Sequence, residues 1–195
     1  MFLLVTVVFS VLALAGSAFA QSATDVVRTK QSALFSLLKQ PSSAPTQERI
    51  QRIFDEMLDY SGLAKASLGD EWAVRTEEER KEFSNILKQL VRKAYEKNLK
   101  KTVTFRIDYV GQDAIDSSQL VKTRATNQAN SRDEPVEIDF KMVQDGGTWK
   151  VADIITEGSS LVRNYRNQFT RIIKRDGFPA LIKKMNDKLA KGDVE

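Results

Sequence analysis

The chain has 195 residues, with 30 Lys and Arg against 26 Asp and Glu, a formal charge of +4, and neither His nor Cys. That composition excludes disulfides, thiol chemistry, and every metal site or nucleophile that depends on an imidazole. The length suits one domain with a sizeable core.

The first twenty residues, MFLLVTVVFSVLALAGSAFA, carry no charged side chain and end in Ala18-Phe19-Ala20 before the polar Gln21. They predict a secretory signal peptide over 1–20, cleaved after Ala20. An uncleaved anchor is the alternative, since the run is just long enough to span a bilayer. The small residues Gly16, Ser17, Ala18 and Ala20 favour cleavage. The domain over 21–195 then divides into a helical part (21–101), a sheet (102–156) and C-terminal helices (158–192).

Apolar residues at three- and four-residue spacings predict helices over 24–39, with Val26, Val27, Leu34 and Leu37 inward, and 46–58, with Ile50, Phe54 and Met57 inward. The Pro41–Pro45 stretch between them reads as a loop. A short helical turn carries Leu63, Ala64 and Leu68 to Gly69. Thr76-Glu77-Glu78-Glu79 is a capping box that starts a helix to about Leu99, burying Phe83, Leu87, Leu90 and Tyr95.

The period then switches to two. Val103, Phe105, Ile107 and Tyr109 alternate with Thr104, Arg106 and Asp108, predicting a strand. Residues 120–130 predict a second strand, polar enough to suggest an edge. Val136, Ile138, Phe140 and Met142 form a third, and Asp145-Gly146-Gly147 a hairpin turn. A fourth strand with Trp149, Val151, Ile154 and Ile155 feeds through Glu157-Gly158-Ser159 into a helix carrying Leu161, Val162, Tyr165, Phe169, Ile172 and Ile173 on one stripe. Gly177 ends it, and Pro179 opens a last helix to about Lys191. About four antiparallel strands between N- and C-terminal helices make an α+β domain.

Without His and Cys, catalysis would rest on carboxylates, and Asp108 and Asp139 fall opposite the apolar rows. Asp153 and Glu157 flank the strand-to-helix turn, where capping is the expected role. The motifs for bound nucleotide, metal or calcium are missing from the sequence, so no cofactor is expected. Lys and Arg concentrate on the 76–101 helix and the C-terminal pair. An exported chain seldom meets nucleic acid, and stacking aromatics do not interleave these charges. An anionic lipid surface or acidic partner suits them better, as does a merely solvated face.

The run WKVADIITEGSSLVRNYRNQFTRIIKRDGF (149–178) resembles the C-terminal signature of the MlaC (toluene-tolerance) family of periplasmic phospholipid carriers, in which a W-x-V/A-x-D strand passes through E-G-x-S into a helix ending at G-F or G-I. Leu63, Ala64, Ser67, Leu68, Gly69, Trp72 and the helix start at Thr76–Phe83 agree in order and spacing. The resemblance implies a non-enzymatic carrier whose curved sheet and helices enclose acyl chains in an apolar pocket. It also implies a function in outer-membrane lipid asymmetry. The implied partners are an inner-membrane ABC-transporter assembly with a substrate-binding ring and an outer-membrane lipoprotein–porin complex. The rows able to line such a pocket are Val103, Phe105, Ile107 and Tyr109, then Phe140 and Met142, then Val151 and Ile155. Leu161, Val162, Tyr165 and Phe169 would close it, and Lys93, Lys97 and Lys100 are candidates for docking to partners or membrane. The readings set against this are a cone-like α+β hydrolase or isomerase acting on a small apolar substrate, and a module whose interior is simply full.

Overall fold

The computed structural model describes residues 21–130 and 132–192, so the expected signal peptide lies outside the described residues. Among the described residues six α-helices flank one sheet: α1 (Ala23–Leu38), α2 (Ala44–Met57), α3 (Tyr60–Leu68), α4 (Glu77–Thr102), α5 (Leu161–Asp176) and α6 (Phe178–Lys191). A 3₁₀ turn, Gly69–Trp72, links α3 to α4. The strands are β1 (Phe105–Ile115), β2 (Ser118–Asn127), β3 (Val136–Asp145), β4 (Thr148–Thr156) and β5 (Ser159–Ser160). They form an antiparallel meander in the order β1-β2-β3-β4-β5, so the fold is the expected α+β with a short fifth strand added.

Side-chain chemistry sets the helix starts. Ser22 accepts the amide of Asp25 at α1, and Ser43 accepts that of Thr46 at α2. The second cap, with Pro45 in the first turn, starts α2 two residues before the apolar stripe suggests. The capping box forms as expected: Thr76 Oγ1 accepts from the Glu79 amide at 3.2 Å, and Glu79 Oε2 accepts from the Thr76 amide at 2.9 Å. At Gly69 the backbone turns to φ +58°, a conformation that favours glycine, and closes α3.

Three expectations about the strands are corrected. Val103 is the C-cap of α4 with helical dihedrals, so β1 starts at Phe105. The polar β2 is an internal strand, because Val121, Thr123 and Ala125 are buried between Lys122, Arg124 and Thr126. The sheet edges are β1 and the short β5 instead. Finally, Lys141 pairs with Asp153 while Met142 pairs with Val151, so Ala152 is an extra residue on β4. That bulge reverses the side-chain phase of the strand.

One core runs from Val27 and Leu34 on α1 through Phe54, Phe83 and Phe140 to Leu181 on α6. The α2–α3 junction is tied to β4, where the amide of Asp59 donates to the carbonyl of Val151 at 2.9 Å. Asp153 takes its expected capping role: Oδ1 accepts the amide of Val162 at 3.1 Å and Oδ2 accepts the hydroxyl of Ser160. The strand thereby fixes where α5 begins and which of its faces meets the sheet.

Candidate functional site

The inner face of the sheet is read directly from the strand register. Tyr109 lies opposite Thr123, Thr123 opposite Ile138, and Ile138 opposite Thr156. The next row is Val121, Phe140 and Ile154, and then come Met142 and Val151. Helix α1 covers part of this face, where the Tyr109 hydroxyl donates to Oε1 of the buried Gln31 at 2.6 Å. Burial pushes the Tyr109 hydroxyl up to about 12, while Arg28, stacked over its ring at 4.6 Å, acts in the opposite sense.

The expected pocket residues fall into separate groups. Phe140, Met142 and Val151 share the inner face but are wholly buried, as packed core. Phe105, Ile107 and Tyr109 are half-buried on the same face, and Val103 is half-buried at the helix–strand junction. Ile155 stands on the opposite face, beside Asp139 and Ser160, because the Ala152 bulge turns Ile154 inward in its place. Strict alternation from Val151 could not reveal that shift. Asp108 and Asp139 also lie on the outer face, opposite Arg124 and Lys122 respectively.

Two spaces open between α5 and α4. A cleft of about 220 Å³ separates the C-terminal half of α4 from the end of β4, β5 and the first turn of α5. Val91, Tyr95, Ile154 and Leu161 supply apolar wall, and Asn98 and Asn164 supply polar groups. A smaller space of about 50 Å³ lies between α4, α5 and α6, lined by Leu90, Tyr165, Phe169 and Met185. Tyr165 and Phe169 stack with ring centroids 5.2 Å apart, and Phe83 meets Phe169 edge-on at 5.5 Å. Burial raises the pKa of the Tyr165 hydroxyl. Val162 belongs to neither space. It lies about 100° round the helix from Leu161 and borders a cleft on the outer side of the sheet.

Helix α4 is the contribution that the sequence reading of the site omitted. Val91, Ala94 and Tyr95 continue the buried stripe of Leu87 and Leu90; period marked Tyr95 as core and left Val91 unread. The docking candidates lie on the same half of that helix. Lys93 and Lys100 are exposed and Lys97 half-buried; Lys93 reaches the Leu189 carbonyl at 3.4 Å, and Lys100 pairs with Glu96 at 2.8 Å. Lys97 is engaged as well. Among the described residues no helix is long and apolar enough to cross a membrane, and no group of three or more Asp or Glu could hold a metal ion.

Comparison with solved structures finds the same fold in a phospholipid-binding protein from Ralstonia solanacearum, itself determined in complex with a phospholipid. The two are 22% identical, with a TM-score of 0.73 over 88% of this chain and 98% of that one. No match was found among curated proteins. Comparison with protein families matches residues 28–187 to the family described as MlaC protein. The matched span runs from within α1, across the whole sheet and the α4–α5 cleft, to within α6, and the chain belongs to the MlaC family.

Proposed function

We propose that this protein is a periplasmic phospholipid carrier. It holds the acyl chains between the inner face of the sheet and α4–α5, and moves lipid between inner- and outer-membrane complexes to maintain outer-membrane asymmetry. The carrying observation is the cleft between α4, β4–β5 and α5, whose apolar walls continue the sheet's inner face and whose rim is polar. Family membership and the phospholipid held by the Ralstonia solanacearum protein of the same fold support this reading.

Energetics require enclosure. A phospholipid has on the order of thirty methylenes at about 0.8 kcal/mol each, so tails left in water would cost on the order of 20 kcal/mol. A cleft of about 220 Å³ is smaller than the usual ~300–1,000 Å³ ligand pocket. Lipid entry therefore moves α4 and α5 apart from the edge of the sheet. The half-buried Ile138 and Ile154 are the surface this movement uncovers, and the phosphate stays outside the tail space, at its rim beside the first turn of α5. Export by the 1–20 segment delivers the chain to the periplasm as a single 21–195 domain. Its partners are the inner-membrane ABC-transporter assembly with its substrate-binding ring and the outer-membrane lipoprotein–porin complex. They dock near Lys93, Lys97 and Lys100 on α4.

Organic extraction of protein purified from the periplasm tests this directly. The extract is expected to contain phospholipid. Leu161→Asp and Ile154→Asp, which would desolvate a carboxylate against the chains, are expected to lose that lipid while keeping the wild-type far-UV spectrum. A lipid-free wild type, or folded variants carrying wild-type amounts, would sink the reading.

A further inference from the structure

On the outer side of the sheet, a cleft of about 410 Å³ lies between α3, the outward residues of β3 and β4, and the first two turns of α5. Its charged residues are Lys141, Arg163, Arg166, Asp59 and Asp153. The two acids are already committed to backbone amides. Asp59 Oδ1 accepts the amide of Gly62 at 2.9 Å, and Asp153 accepts those of Ile154 and Val162 together with the Ser160 hydroxyl.

The three cations have no such commitment. Arg166 Nε donates to the Ala66 carbonyl at 2.7 Å, and Arg163 Nη2 to the Gly158 carbonyl at 2.9 Å. Both acceptors are neutral, so each guanidinium is oriented while its charge and its remaining N–H groups stay available. Lys141 forms no ion pair among the described residues. Val143 and Ala152 give the cleft an apolar floor beneath these groups. Cations approaching from a strand on one side and a helix on the other suit a tetrahedral oxyanion, whose oxygens take donors from several directions.

We propose that this cleft binds a phosphate group, with Lys141 and Arg163 as the principal ligands and Arg166 completing the shell. Two sources share that chemistry. One is the head group of a lipid held in the α4–α5 cleft, because the first turn of α5 borders both spaces: Ser159, Leu161 and Asn164 face one, and Ser160, Val162 and Arg163 the other. The other is a free phosphorylated solute. The lipid-carrier reading bears only on which source is correct, since the cleft itself is built without reference to the tails.

Calorimetric titration of the delipidated protein with glycerol 3-phosphate and with inorganic phosphate at low salt provides the test. Saturable binding is expected. Lys141→Gln with Arg163→Gln should weaken it by at least about tenfold, as fits the loss of charge-assisted bonds, whereas Lys39→Gln with Lys81→Gln, an equal change in net charge at two exposed lysines away from the cleft, should leave it unchanged. Arg166 is left intact because it also ties α5 to α3. If the lipid-loaded protein no longer binds the probes, the head group is the occupant; if it binds them as the delipidated protein does, the ligand is a separate solute. Absence of binding to the delipidated wild type, or equal losses in the two double variants, would overturn the proposal.

Discussion

Gln31 places an amide in the otherwise apolar stripe of α1, and the Tyr109 hydroxyl is its partner across the core. Tyr109→Phe removes the donor and leaves the Gln31 oxygen buried, which should cost about 1–3 kcal/mol. Adding Gln31→Leu removes the stranded acceptor, so the double variant should recover most of that loss, as read from denaturant midpoints. A double variant no better than Tyr109→Phe would mean that the amide has other work. The same pair shows what single residues disclose in a sequence. Tyr109 was legible as an inward residue because its neighbours alternate. Gln31 was not, because its partners, Tyr109 above all and Tyr95 beside it, lie far along the chain. Phe140 was likewise legible, whereas Ile154 and Ile155 were assigned the wrong way round because a one-residue bulge leaves no mark on composition.

The elements were legible wherever a local signal defines them. The Thr76–Glu79 box is written in adjacent residues, so α4 starts where expected, whereas the Ser43 cap went unread and α2 starts two residues early. Strand β2 was misplaced because edge or interior is a property of the assembled sheet and not of the strand. The turn between α5 and α6 carries a pH response. Asp176 lies between Arg175, at 2.9 Å, and Lys184, at 2.7 Å, and these cations hold its carboxyl below the usual carboxylate range. A depressed folded-state pKa means that the contribution is complete above the unfolded value of about 4 and is lost as pH falls through the folded value. The group is solvent-exposed and screened, so the effect is modest. Asp176→Asn should therefore lower Tm slightly at neutral pH and flatten its decline below about pH 4, as followed by calorimetry. Parallel acid limbs in the two proteins would show that the pairing contributes nothing.

At the scale of the whole molecule, the proposed exchange with partners places the exposed Lys93 and Lys100 where screening reaches them, over about 8 Å at physiological ionic strength. Lys93→Glu with Lys100→Glu should slow lipid transfer between purified complexes several-fold and reduce its dependence on salt, while thermal unfolding stays near wild type. Transfer indifferent to both changes would leave these lysines as solvated surface. The strand order has a different consequence, one of time. Every strand pairs with its neighbour in sequence, so the sheet closes over short loops at little entropic cost. Helix α1 instead waits for partners made much later in the chain: Gln31 is synthesised 78 positions before the tyrosine that satisfies it. Assembly should therefore run against the direction of synthesis, with the β1–β4 meander protected first and α1 docking last. Pulsed hydrogen exchange during refolding should show β2 and β3 amides gaining protection before those of α1. Simultaneous protection would mean that the two halves form as one cooperative unit.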